Sequence, residues 1–477
     1  MKRYLITGLS LGVLALTGFW LTACGGGAAN TSNSPSSGAG APMLVTVGDA
    51  PLSNLLSAQV TIASLSLVNS GGSFALLSKP RTVELSGLGA TREPLELENV
   101  PLGNYTSLTL TVSAAQATYV NGSGQTVTST ATLNSPTVTV ALNPALSVTT
   151  TDGLELQLDF NLAQSFDLTN NVLTFTPAIN TAAAQVSSED SGDKEVEVTG
   201  SVVSVSVTNN AGSITVKSGD SGAQFTFTIN AATQFEGALS PAAIQPNALV
   251  EIQGAVQSDG SLLATEISAE MEGEGENASQ QAALGTVTAV TTDSTGAVTS
   301  FTLVPREDFG GSDQSSTLTV SLSSSTVYNV GAFAALEGIT AAQFTNAQIF
   351  AGQSVMVVGT VSGTATIAAQ EVDLAPLSAS GQLAAAPQGS SPDLTFTLQL
   401  ASSSGLAVYQ QLTALNVAAN ANTLYGDTLS ASTFASTATG TSLDVNGFLL
   451  KDASGNFTLY AAMISQQETP ETPEGGD

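Results

Sequence analysis

Chemistry in this chain has to come from carboxylates, hydroxyls and one thiol, because its 477 residues include no histidine and a single cysteine, Cys24. No intramolecular disulfide can form, and no cysteine–histidine site for zinc, haem or copper can be assembled. A serine nucleophile would find no imidazole to take its proton. Gly8-Leu9-Ser10-Leu11-Gly12 has the spacing of a nucleophile elbow, and without a histidine it is a coincidence.

The carboxylates offer more. Asp49, before Ala50-Pro51, reads as the cap of a turn that the proline stiffens rather than as a catalytic acid. Asp152, Glu155, Asp159 and Asp167 gather near one stretch of sequence, and oxygen ligands of this kind suit Ca²⁺. Glu155 and Asp159 would share a strand face but stand roughly 13 Å apart, too far for one ion, so a solvated face is expected. Glu270, Glu272, Glu274 and Glu276 alternate with Met271, Gly273 and Gly275, which is the pattern of a solvated linker. Paired carboxylates can hydrolyse a glycoside without histidine. No pair stands out, however, and the single tryptophan, Trp20, falls in the leader described next. The expectation is no catalytic site, no cofactor and no metal.

Lys2 and Arg3 precede an apolar stretch from Leu5 to Leu21, and Leu21-Thr22-Ala23-Cys24 closes it. A positive start, a short apolar core and small residues at its end describe a secretory signal rather than a permanent span. The last four residues resemble the bacterial lipobox. That resemblance implies cleavage before Cys24, lipidation of Cys24, and an address in the cell envelope. Gly25 after it points to the outer membrane in a two-membrane organism.

The chain carries 38 acidic and 9 basic residues, a formal charge of −29. A polyanion cannot release counterions from nucleic acid, so DNA and RNA are excluded as partners on this reading. The expected partners are a membrane reached through the lipid on Cys24 and an envelope protein or glycan of unknown identity.

Beyond a Gly/Ala/Ser/Asn/Pro tether with a reach of roughly 20–25 Å, the chain reads as strands. Leu154, Leu156, Leu158 and Phe160 alternate with polar residues, as do Leu108, Leu110 and Val112, and Val138, Val140 and Leu142. Between Ile62 and Leu65 the phase flips, which suggests a bulge or two buried faces. Leu44 to Pro51, Val60-Thr61-Ile62, Val100 to Tyr105 and Leu158-Asp159-Phe160 resemble the lipoprotein family known as domain of unknown function 4382. The resemblance implies an immunoglobulin- or prealbumin-like sandwich and no activity.

After a polar linker, four landmarks recur three times. They are Gly-x-apolar at Gly200, Gly285 and Gly381; Thr-x-aromatic at Thr233, Thr326 and Thr423; a strand ending in Gly254, Gly359 and Gly447; and Ala-x-x-apolar at Ala264, Ala369 and Ala461. The opening glycines lie 85 and 96 residues apart, a repeat period. The copies resemble domain of unknown function 5666. Each reads as three strands, an insert and two strands, with Ala332–Leu336 and Ala341–Phe344 as helix candidates, the order of an OB-type barrel.

The expected fold is therefore all-β: a sandwich followed by three small OB-like barrels. The boundaries are a signal peptide at 1–23, tether at 24–41, sandwich at 42–182, linker at 183–195, barrels at 196–270, 282–375 and 376–466, an acidic linker at 271–281 and an acidic tail at 467–477. The expected role is a non-catalytic envelope lipoprotein acting as a scaffold or adhesion-like module. A binder of neutral glycan or Ca²⁺ is the alternative, and a histidine-free hydrolase comes third.

Overall fold

The computed structural model describes residues 40–466 except 51–54, 87, 89–91, 122, 150–152, 170–171, 186–195, 209–210, 220, 236–243, 247, 270–279, 310–316, 332–333, 335–336, 363–364, 403, 427–428 and 453. The leader, Cys24, Asp152, the Glu270–Glu276 run and the acidic tail lie outside these residues, as does the side chain of Asp49.

Two sheets make the N-terminal sandwich. One orders strands Ile179–Gln185, Leu154–Asn161, Gly40–Ala50 and Glu93–Pro101; the other is built around Leu55–Asn69 and Gly103–Val120. The first strand starts two residues inside the segment assigned to the tether, and the last reaches three residues into the segment assigned to the linker. Leu154, Leu156, Leu158 and Phe160 all face the core between the sheets, with Leu65, Leu67, Leu108 and Leu110 opposite them. The phase flip after Ile62 is a bulge, seen as register shifts at Thr61/Ile62 and Ile62/Ser64 against the strand Gly103–Val120. Tyr105 donates its hydroxyl hydrogen to the carbonyl of Pro101 at 2.9 Å. A tyrosine tied to the backbone four residues upstream is the corner device of immunoglobulin-like sandwiches.

Strand Gly40–Ala50 departs from simple alternation. Met43, Val45 and Val47 face the sandwich core, yet Leu44 and Thr46 are also fully buried, because Leu44 packs into the core of the first barrel. A sheet covered on both faces needs a continuous apolar run, and Met43-Leu44-Val45 supplies one.

Each repeat is a closed five-strand barrel. In the first, Val196–Thr208, Ala211–Ser218, Gln224–Ile229, Leu262–Ala269 and Leu249–Val256 pair in that spatial order and return to the start. In the second the order is Gln280–Thr292, Val298–Phe309, Leu318–Ser321, Thr366–Leu374 and Ser354–Val361; in the third it is Leu377–Leu383, Asp393–Leu400, Ala414–Ala419, Phe457–Gln466 and Ser442–Lys451. The parallel pairing of third on fifth strand closes every barrel: Phe227 with Leu262, Thr319 with Thr366, Asn416 with Thr458. Closure hides the edges that Thr/Val-rich strands would otherwise present to other chains.

The recurring landmarks are the residues that make closure possible. A Cβ on Gly200, Gly285 or Gly381 would sit 2.1, 2.1 or 2.4 Å from a carbonyl oxygen of the second strand. One on Gly254, Gly359 or Gly447 would sit 2.7, 2.3 or 2.2 Å from the carbonyl of Leu263, Ala368 or Tyr460, just before the alanine of the last landmark. That alanine's own carbonyl accepts the threonine hydroxyl: Thr233 to Ala264 at 2.8 Å, Thr326 to Ala369 at 2.9 Å, Thr423 to Ala461 at 2.8 Å. Three of the four landmarks thus converge on one turn of the fifth strand.

Of the two helices expected in the second barrel's insert, Ala341–Phe344 differs, while Ala332–Leu336 lies outside the described residues except for Ala334, which is helical. Ala341–Gln343 and Asn346–Gln348 are single 3-10 turns. Gln343 Oε1 accepts the Thr340 amide at 2.8 Å and Gln348 Oε1 that of Thr345 at 3.1 Å. Thr345, capping the second turn in an extended conformation, stops the first from growing.

Thr326→Val tests this account. Its hydroxyl is buried and also accepts the Ser323 amide at 2.9 Å, so two backbone groups lose a partner. We expect a loss of about 1–3 kcal/mol in denaturant unfolding of the second barrel, and a larger loss for Gly359→Ala, whose added methyl meets backbone that cannot move aside.

Candidate functional site

The side chains with unusual chemistry lie where domains meet. Arg81, Glu84, Glu93 and Glu96 are all buried, three carboxylates against one guanidinium, beside the first barrel. Glu96 is satisfied by Arg81, through Nε at 3.1 Å and Nη2, and Arg81 Nη1 also reaches the Ser221 carbonyl of the barrel at 3.4 Å. Glu84 accepts from Ser57 Oγ and the Ala58 amide at 2.7 Å each, and from Ser86 Oγ at 2.6 Å. Glu93 draws its donors from the other domain: Ser218 Oγ at 2.8 Å, and Ser221. Burial outweighs those donors and pushes the Glu93 carboxyl up to about 7, with Glu84 adding to the rise.

Around this cluster the seam is made of backbone. Glu197 N–H donates to the Arg92 carbonyl at 3.0 Å, Gly153 N–H to that of Ser258 at 2.6 Å, and Pro42 lies against Gly260. Glu155 belongs to the same face. It accepts from Thr46 at 3.2 Å and pairs with Arg92 at 3.3 Å, so it is a structural carboxylate and not a solvated one. Asp159, one turn of the pleat along, has a buried Oδ1 without a partner. Glu155, Asp159 and Asp167 are not brought together as ligands, and no group of three or more potential ligands able to hold a metal ion occurs among the described residues.

A second seam joins the second and third barrels. Gln353 Nε2 donates to the Leu449 carbonyl at 3.0 Å, and Phe350 meets Phe457 edge-on with centroids 5.0 Å apart. Glu337, buried there, is pushed up to about 7 by desolvation against one hydrogen bond with Asn420. Asp373 in the second barrel is likewise raised to about 7, first by burial and then by Glu371. At the hairpin tips, by contrast, Asp293 is held below the usual carboxylate range by the Thr295 hydroxyl and by backbone amides. Such acids are used up in turns.

The third barrel carries the helix Gly405–Gln410 between its second and third strands. Ser404 caps it by accepting the Ala407 amide at 3.1 Å. Tyr409 hydrogen-bonds Thr126 of the sandwich at 3.0 Å, Gln410 Nε2 donates to the Ala351 carbonyl of the second barrel at 2.6 Å, and Val408 and Tyr409 pack with Leu56, Val120 and Val304. Leu249, Ala282, Met356 and Val358 join the first barrel to the second. Every domain therefore contacts at least two others. The charge pattern of Arg92-Glu93-Pro94-Leu95-Glu96 was the one sequence signal for the first seam, and nothing in the sequence marked Glu337, Asp373 or Tyr409.

Two families account for the first half of this architecture. Residues 41–177 match the family described as Domain of unknown function (DUF4382), and residues 195–268 match Domain of unknown function (DUF5666). The DUF5666 match covers the first barrel, whose strand order the second and third barrels repeat. No curated protein matches this chain. Among solved structures, the wild-type single-stranded DNA binding protein from Thermus aquaticus is 15% identical, with 41% of this chain and 96% of that chain covered and a TM-score of 0.18. Drosophila Unr CSD456 is 11% identical, with 57% and 98% covered and a TM-score of 0.14.

The partner set read from the sequence was a membrane through Cys24, an envelope protein or glycan, and no nucleic acid, and the exclusion of nucleic acid is the part corrected here. Chains similar to this one include proteins named for binding single-stranded DNA. Net charge belongs to the whole chain, whereas a few side chains decide what a groove binds, so −29 closes no class of partner. TM-scores this low assign no ligand either.

Two measurements test the buried charges. Arg81→Ala strands Glu96 without its cation and should cost about 3–5 kcal/mol at neutral pH. A carboxyl whose folded pKa is raised contributes stability that is complete below its unfolded value and lost as the pH rises through the folded one. Stability should therefore fall from pH 4 to 7, and Asp373→Asn should flatten part of that slope in a urea-unfolding series.

Proposed function

We propose that this protein is a non-catalytic scaffold, exported and held at the cell envelope through a lipidated Cys24, which presents four β domains in a set arrangement. The observation that supports the scaffold reading is the closed set of seams, in which one six-residue helix of the third barrel bonds to both the sandwich and the second barrel. Domains tethered only in sequence would be free to reorient. Here each is held from two sides, which favours fixed spacing over independent movement. The envelope address is supported by Lys2 and Arg3, the apolar stretch and Leu21-Thr22-Ala23-Cys24, with an outer-membrane location in a two-membrane organism. Among the described residues no helix is long and apolar enough to cross a membrane.

Metabolic labelling with a fatty-acid probe should mark the chain and leave Cys24→Ala unmarked. Native protein that keeps Met1 and carries no acyl mass overturns the envelope address. The scaffold reading is tested separately by Tyr409→Ala, which removes the hydroxyl and ring that join three domains. Small-angle scattering of this variant should show a larger radius of gyration than the unaltered chain, and equal radii would count against a fixed arrangement.

A further inference from the structure

The seam between the sandwich and the first barrel pairs unlike groups. Glu84 and Glu96 find their donors inside the sandwich, from Ser57, Ala58, Ser86 and Arg81. Glu93 reaches across, and its donors, Ser218 and Ser221, are uncharged and belong to the barrel. The other charged groups nearby are committed elsewhere. Arg92 pairs with Glu155, Arg81 with Glu96, and Lys217 is exposed while its neighbour Ser218 is buried. Asp220 lies outside the described residues. Docking the barrel thus encloses a carboxyl for which no cation is supplied, beside Glu84, held by neutral donors, and Glu96, paired with Arg81.

We propose that Glu93 is a proton-gated latch: protonated, it lets the first barrel seat on the sandwich, and ionised, it loosens that seam and leaves the other seams as they are. The inference does not depend on the envelope address. An exposed glutamate titrates near 4.5, and burial in the docked state moves Glu93 to about 7, so docking takes up a proton between these values. The seam is firmest below pH 4.5, weakens as the pH rises through 7, and changes no further above that. The shift sets a ceiling of about 300-fold on the change in the docking equilibrium.

Hydrogen exchange on the full chain reads this directly, since it detects rare openings. The amide of Glu197, bonded across the seam to Arg92, should lose protection by tens to about 300-fold between pH 4.5 and 8 once intrinsic exchange is divided out. Amides of the strand Ser442–Lys451, in the seam that also holds Glu337, should respond to pH equally in the unaltered chain and in Glu93→Gln. In Glu93→Gln the Glu197 protection should be flat with pH. The proposal is overturned by a flat profile in the unaltered chain, by an equal slope in Glu93→Gln, or by a loss throughout the third barrel that Glu93→Gln also removes, which would mean global destabilisation. Should Glu93→Gln fail to fold, carbon-13 titration of the Glu93 carboxyl in the unaltered chain decides: a midpoint near 4.5 refutes the latch.

Discussion

Closing five short strands into a barrel forces backbones together at two places, and this close approach governs most of the molecule beyond residue 195. Where first and second strands cross, and where the fourth bulges against the fifth, there is no room for a Cβ. Glycine satisfies that limit three times over at both places. The threonine that ties the crossover back to the fifth strand serves the same geometry, because its hydroxyl bonds a carbonyl at the point of convergence. The repeat is therefore a closure device written three times, and the side chains between its landmarks are free to drift.

The packing of domains on one another makes a second demand. Sandwich sheets usually bury one face and wet the other, but here the sheet holding Gly40–Ala50 is covered on both faces, with Leu44 in the core of the first barrel. That coverage carries polar groups into the interior. Thr46, Glu155 and Arg92 satisfy one another there, whereas Glu93 and Glu337 are left as acids without a cation and rise to about 7. A −29 chain that builds tight seams has few cations to spend on them, so protonation is the remaining way to bury the charge.

Much of the fold was legible in the sequence because it rests on local period and spacing. The alternation from Leu154 to Asn161 shows one buried face, and that face is where the core lies. The phase flip after Ile62 marked the bulge. The third barrel carries the helix Gly405–Gln410 between its second and third strands, and its landmarks keep their order around it. Ala341–Phe344 was misread as helix because Ala-rich text favours helix, while two threonine-capped turns in succession leave no length for one there. The candidate sites were far less legible. Glu155 reads as solvated from its strand alone, since the covering barrel is some forty residues away in the chain and invisible to alternation.

The amino-acid order alone determined which segments are strands, which face of each is apolar, where chains must approach without a side chain, and that no imidazole or thiol pair can act. Those are properties of a residue and its neighbours within a few positions. Only the tertiary structure decided which polar residues are buried and by whom: that Glu93 meets Ser218, that Tyr409 reaches Thr126, that Glu337 lies against the third barrel. These pairs are separated by tens to hundreds of residues. Burial and the electrostatics that follow from it depend on what covers a surface, and that is set by how domains dock rather than by any local pattern.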